Sequence, residues 1–210
     1  MVTATDTDTP RGSVWLSPGP VGSTRRRGEL PTGLDRERIT VRAVGLLDAE
    51  GLSRFSMRRL AAELGVTAMS LYWYVDTKHD LLELALDRAL GEVRLPPEPA
   101  GADWSERLRE LARGHRAVSA AHPWVARLIG EYPNIGPHAR AFDAALRRIL
   151  EATGLSEAGR SGAHLVVSRF LQGHGCRPRG TAPGEFEIAL DLLVAGIEGY
   201  AARAERVAGA

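Results

Sequence analysis

The residues best placed to do chemistry in this chain are hydroxyls, aromatics and two cations crowded between positions 56 and 82. Thr67, Ser70, Tyr72, Trp73 and Tyr74 occupy one short stretch, with Ala68 and Met69 among them and Arg58 and Lys78 on either side. Hydroxyls can bond base edges or phosphates, a methyl or thioether can touch a thymine methyl, and cations neutralise phosphates. A merely solvated helix face would carry Glu, Lys or Arg instead. The chemistry this points to is recognition of double-stranded DNA. Elsewhere, the 6 histidines and 26 acidic residues form no H-E-x-x-H, G-x-S-x-G, P-loop or dinucleotide fingerprint. Glu187 and Asp191, one turn apart, read as the solvated face of the last helix. Cys176 is the only cysteine, which excludes an internal disulfide and a cysteine-cluster metal site. An enzyme is the second class of reading, but no catalytic residue, cofactor or metal is expected.

The elements that must position this stretch follow from local signals. Ser56 can cap a helix over 57–64, whose Leu60, Ala61 and Leu64 share one face. Gly65 then supplies a left-handed turn, and Val66 plugs the joint. Thr67 can cap a second helix over about 68–74, with Leu71 and Val75 facing inward. Thr77 can cap a third, from Lys78 to about Arg94, with Asp80 completing a capping box. Upstream, a helix over 36–50 carries the inner stripe Ile39, Ala43, Leu46 and Leu47 and stops at Gly51. Two helices joined by a short glycine-containing turn are a helix-turn-helix.

Residues 35 to about 90 resemble the DNA-binding domain of the tetracycline-repressor (TetR-type) family. The likeness rests on Asp35-Arg36-Glu37-Arg38-Ile39, Asp48-Ala49-Glu50-Gly51-Leu52, Ser56 to Leu64 and Gly65-Val66. Above all it rests on Leu71-Tyr72-Trp73-Tyr74-Val75 followed by Lys78 and Leu81-Leu82. The resemblance implies DNA contacts from Arg58, Thr67, Ala68, Met69, Ser70, Tyr72, Trp73, Tyr74 and Lys78, the last to a phosphate. Ala68 stands where some relatives carry a long polar base reader, and Tyr74 where the tetracycline repressor has a histidine. Because of these two departures the resemblance carries over no operator sequence.

The fold class implied is all-α: an N-terminal three-helix helix-turn-helix DNA-binding domain followed by a helical ligand-binding and dimerisation domain. The expected organisation is a flexible N-terminal arm over 1–34, the DNA-binding domain over 35–82, and the helical domain over 83–210. Helices are expected near 104–120, 122–130, 137–153, 156–174 and 184–206. Trp104 and His122-Pro123-Trp124 are similar to the family's C-terminal class. The last helix carries a broad apolar stripe that Gly162, Ala163 and Leu165-Val166-Val167 on the preceding one could meet closely, and the resemblance implies that these two helices make a four-helix homodimer interface. DNA geometry asks for the same dimer, because two recognition helices must enter grooves about 34–36 Å apart.

The resemblance also implies a small-molecule effector, largely apolar, held between helices of the C-terminal domain. Candidate contacts are His115, Trp124, Tyr132, Asn134, Phe142, His164, Phe170, Gln172 and His174. The family's metal-assisted tetracycline site does not carry over, because Ile129 stands at its histidine ligand and Arg177 near its acidic partner.

The formal net charge is only +1, so affinity for DNA would have to come from placed cations rather than bulk charge. Of 27 basic residues 26 are Arg, and the sole lysine, Lys78, falls where a flexible phosphate-reaching ammonium is expected. Arg25, Arg26 and Arg27 form a cationic cluster that could lie in the minor groove as a basic arm does. Trp15, in the apolar island Ser13 to Pro18, is expected to dock on the protein. No apolar run approaches the roughly 18 residues of a membrane span, and no signal pattern opens the chain. A cytoplasmic protein with no membrane partner is expected.

Overall fold

The computed structural model describes residues 12–16, 33–97, 103–175 and 183–208, and the elements among them are all helical. The first is α1, Arg36–Glu50. Asp35 accepts the Arg38 amide at 2.7 Å, and Gly51 closes the helix at a φ of 78°. In α2, Met57–Leu64, Ser56 accepts the Arg59 amide at 3.2 Å, and Gly65 turns the chain with a φ of 67° that a side chain would strain. Met57, Leu60 and Ala61 are its buried residues, whereas Leu64 is only half-buried. Arg59 holds α2 to α1 by donating Nε and Nη2 to Glu50, at 2.8 and 2.6 Å.

Helix α3 is shorter than its sequence suggests. It spans Ala68–Leu71, and residues 72–74 form a tight turn instead of continuing to Tyr74. The Tyr72 amide donates to the Met69 carbonyl and that of Tyr74 to Leu71, three residues back, so the helix tightens as it ends. Val75 still donates to Leu71 at 3.1 Å, and both side chains are buried as the four-residue spacing requires.

The long helix α4, Lys78–Leu90, begins with the expected capping box between Thr77 and Asp80. It ends four residues before the predicted Arg94. A Cβ at Gly91 would lie 2.7 Å from the His138 ring, so tertiary packing fixes the chain there, and shorter-range bonds carry it through Val93. Leu81, Leu82, Leu84, Ala85, Leu86, Ala89 and Leu90 are all buried. A helix with this many buried apolar residues is a core helix, and α4 packs against α1 and against the C-terminal helices introduced next.

These are α5 (Trp104–Ala121), α6 (Val125–Leu128), α7 (Pro137–Glu151), α8 (Glu157–Gly175) and α9 (Pro183–Ala208). The stretch expected as one helix over 122–130 contains only the short α6, because His122 closes α5 by donating its amide to Val118. One contiguous core runs from Ile39 through α4 to Ile197. Among the described residues, no helix is long and apolar enough to cross a membrane.

Candidate nucleic-acid interface and its coupling to the C-terminal helices

The face presented by α3 follows from which of its residues are spent on the core. With Leu71 and Val75 buried, Met69 is 70% exposed, Trp73 46% and Tyr72 43%. Exposed apolar groups of this size, clustered at one helix, mark a contact surface. Thr67 caps the helix by accepting the Ser70 amide at 3.2 Å, and its hydroxyl lies 2.9 Å from that of Ser70. The two hydroxyls thus share a proton network at the helix start while retaining acceptor capacity. Ala68 and Tyr74 behave differently from the outward residues, since both are half-buried and pack on the core. Tyr74 is therefore partly a structural residue, because the chain has already left the helical path when it reaches position 74.

Two cations flank this face. Arg58 is exposed and, unlike Arg59, has no ion-pair partner among the described residues. Lys78 opens α4, with its ammonium 5.7 Å from the centroid of the buried Phe55 ring. That contact tethers the long side chain beside the helix N-terminus, where orphan amides already favour an anion. Arg25, Arg26 and Arg27 lie outside the described residues.

Two seams join this reading head to the C-terminal helices. In the first, Asp48 of α1 accepts from Trp124 Nε1 at 2.6 Å and from His122 Nδ1 at 2.7 Å through one oxygen. His122 Nε2 faces Glu92 at 3.0 Å. With a carboxylate on each ring nitrogen, His122 must donate twice, as imidazolium. Burial pulls its pKa down, but the bonds to Glu92 and Asp48 outweigh that and raise it.

The second seam is a polar stripe on α4 itself. His79, Glu83 and Asp87 follow one another at four-residue spacing, on one face. His79 Nδ1 lies 3.1 Å from the Tyr132 hydroxyl. Glu83 receives residues 13 and 14. Asp87 accepts the Ala139 amide at 2.9 Å and His138 Nδ1 at 2.9 Å. Helix α7 starts at Gly136-Pro137 with no side-chain cap of its own, so α4 supplies it. A Cβ on Gly136 would sit 2.3 Å from Asp87 Oδ1, which is why glycine stands there.

The residues considered for an effector separate into groups. Trp124 is buried against Asp48, and Tyr132 borders α4, so both belong to the seams. Burial and nearby Glu131, Glu83 and Asp80 push the Tyr132 phenol well above its usual range, leaving it neutral. Asn134 braces its own loop at a φ of 51°, donating to the carbonyls of Ile129 and Tyr132. Its side-chain oxygen is buried without a partner. Gln172 accepts from Arg169 one turn away, and the His174 side chain lies outside the described residues.

The rest lie on α5, α7 and α8, which pack on one another. His115 is buried with its ring centroid 5.5 Å from that of Phe142, and desolvation lowers its pKa to about 4, so it is neutral. Next to Phe142 on α7, Asp143 meets His164 Nε2 of α8 at 2.6 Å. Phe170 stacks at 5.4 Å on Phe186 of α9. Sequence reasoning missed Asp48, Glu83 and Asp87. The available signal was a pair of carboxylates, Glu83 and Asp87, inside an otherwise apolar helix.

Residues 39–85 match the family described as bacterial regulatory proteins, tetR family, and residues 95–185 match the tetracyclin repressor-like C-terminal domain. The chain belongs to the tetR family. This tetR-family chain is 38% identical over 162 residues to an HTH-type transcriptional regulator of Saccharopolyspora erythraea, covering 77% of the chain and 66% of that relative. Across the first curated relatives the chain spans 56 to 66% of their length. Its fold is similar to the crystal structure of the Streptomyces coelicolor TetR family protein ActR in complex with (S)-DNPA. There the TM-score is 0.71, identity is 29%, and 80% of this chain and 98% of that one are covered. BioQ, solved with its double-stranded DNA operator, gives a TM-score of 0.69 at 27% identity, covering 79% and 99%.

Proposed function

We propose that this chain is a ligand-responsive transcriptional regulator, a homodimer that represses by binding a pseudo-palindromic operator and is released by a small molecule. The observation that carries the reading is the outward face of α3. Met69, Tyr72 and Trp73 stand exposed beside the Thr67–Ser70 hydroxyls, between Arg58 and Lys78. A relative named as a transcriptional repressor, DrrR1 of Streptomyces coeruleorubidus, and the operator-bound BioQ support it.

Dimerisation is supported by α8 and α9. Leu165 and Val166 on α8, with Ile188, Leu192 and Tyr200 on α9, are all more than half exposed. Gly196, on the same helix as the last three, has open space where a Cβ would stand. Such a continuous apolar face fits a second copy of the chain. The effector is proposed to be a largely apolar, uncharged molecule between α5, α7 and α8. Neutral His115 and Phe142 offer it an aromatic wall and a single polar handle. Release then requires only that the effector bind one arrangement of the seams better than the other.

A gel shift with the DNA upstream of the chain's own gene tests the reading. The expected result is one retarded species with two chains per duplex, lost against unrelated DNA only at higher competitor. Equal retardation of any duplex would make the chain an architectural binder, and no retardation would remove DNA from its function.

A further inference from the structure

The Ser13–Leu16 segment is folded onto the middle of α4. The Leu16 amide donates to the Ser13 carbonyl at 2.9 Å and the Trp15 amide to the Ser13 hydroxyl oxygen at 3.2 Å, making a compact turn. That turn delivers two donors to one carboxylate. The Ser13 hydroxyl bonds Glu83 Oε1, and the Val14 amide donates to Oε2 at 2.9 Å. Glu83 is 4% exposed, and Val14 and Trp15 pack against the core beside it. A buried carboxylate is tolerated only when its oxygens are bonded, and among the described residues both hydrogen bonds to Glu83 come from this segment.

Position makes the contact more than a local cap. Glu83 is the centre of the His79–Glu83–Asp87 stripe, so the segment touches α4 midway between the Tyr132 contact and the cap of α7. We propose that residues 13–16 are a strap whose docking on Glu83 holds α4 in its operator-binding position, making the N-terminal segment a positioning element of the switch. The strap acts through packing and hydrogen bonds, with no charge of its own brought to the DNA. This separates it from Arg25 to Arg27, which would act by neutralising phosphates.

The test compares the full chain with a variant lacking residues 1–16 and with Ser13→Ala and Trp15→Ala in the full chain. The first readout, hydrogen exchange of the α4 amides, needs no DNA. The second, operator affinity against salt on the upstream duplex, rests on the regulator reading. Faster exchange across 78–90 is expected in all three variants, with about a tenfold loss of operator affinity for the truncation. The dependence on salt should stay that of the full chain in Ser13→Ala and Trp15→Ala, which remove no charge. Unchanged α4 exchange in the truncation and both point variants overturns the strap, as does unchanged operator affinity in a truncation that otherwise folds. A flattened salt dependence would assign the segment to DNA contact instead and overturn it too. If the full chain itself bound no upstream DNA, the regulator reading would fail while the exchange data still decided the strap's docking.

Discussion

Asp87 of α4 accepts the backbone amide of Ala139 at 2.9 Å, so the helix leaving the reading head supplies the cap that α7 lacks. The same carboxylate meets His138 Nδ1 and fills the space where a Cβ on Gly136 would stand. Any displacement of α7 by a bound molecule therefore pulls on α4, and α4 begins at Lys78, the proposed phosphate contact. The connection is a short covalent and hydrogen-bonded path with two ends that can be measured separately.

Replacing Gly136 by Ala forces Asp87 out of that space. The expected cost is about 1–3 kcal/mol, as for other overpacked sites, read from urea denaturation. Operator affinity should fall with it, because α4 moves. A variant as stable as the parent would mean that α7 does not depend on this cap.

Asp48 couples to Trp124 across the first seam. Asp48→Asn and Trp124→Phe, singly and together, form a double-mutant cycle, and residues in direct contact should show a coupling of about 0.5–3 kcal/mol. Additive losses would show that the 2.6 Å bond contributes no specific link between α1 and α6.

Stability should depend on pH through two histidines of opposite sign. His115 has an ordinary value of 6.5 and a folded value of about 4. As pH falls from 6.5 toward 4 the unfolded chain takes up a proton that the folded chain refuses. Stability is therefore complete above 6.5 and declines below it, by on the order of 3 kcal/mol at the acid end. His122 is raised by Glu92 and Asp48 against the pull of burial. Its contribution is full below 6.5 and is lost as pH rises through its folded value. Urea midpoints from pH 4 to 8 should show the acid decline disappear in His115→Leu, and the loss above 6.5 disappear in His122→Gln. Unaltered profiles would reject both assignments.

Lys78→Ala should lower operator affinity and reduce the slope of log affinity against log salt by about 1, as loss of one phosphate contact does. An unchanged slope would place the ammonium on Phe55 alone, as a packing group.

How far the sequence alone discloses this molecule depends on the range of each interaction. The caps at Ser56, Thr67 and Thr77 are legible because a cap and its amide lie three residues apart. The contacts of Asp87 with Ala139, Glu83 with Val14 and Asp48 with His122 span 52, 69 and 74 positions. No local pattern specifies such pairs, although Gly136-Pro137 opening a helix without a hydroxyl or carboxylate hints that a cap comes from elsewhere. Tyr74 shows the same limit at short range. Three aromatics in a row look equivalent until the chain leaves the helix after Leu71 and turns the third toward the core.

DNA recognition is proposed to rest on the outward face around α3, so the most direct measurement is the affinity of the upstream duplex for wild type and Tyr72→Ala, by fluorescence anisotropy at fixed salt. Tyr72 is among the exposed large hydrophobic residues, so thermal stability should hold. The expected result is a loss of about 1–3 kcal/mol in operator binding, with little change on a scrambled duplex. A folded Tyr72→Ala protein that binds the upstream duplex as tightly as wild type would contradict it.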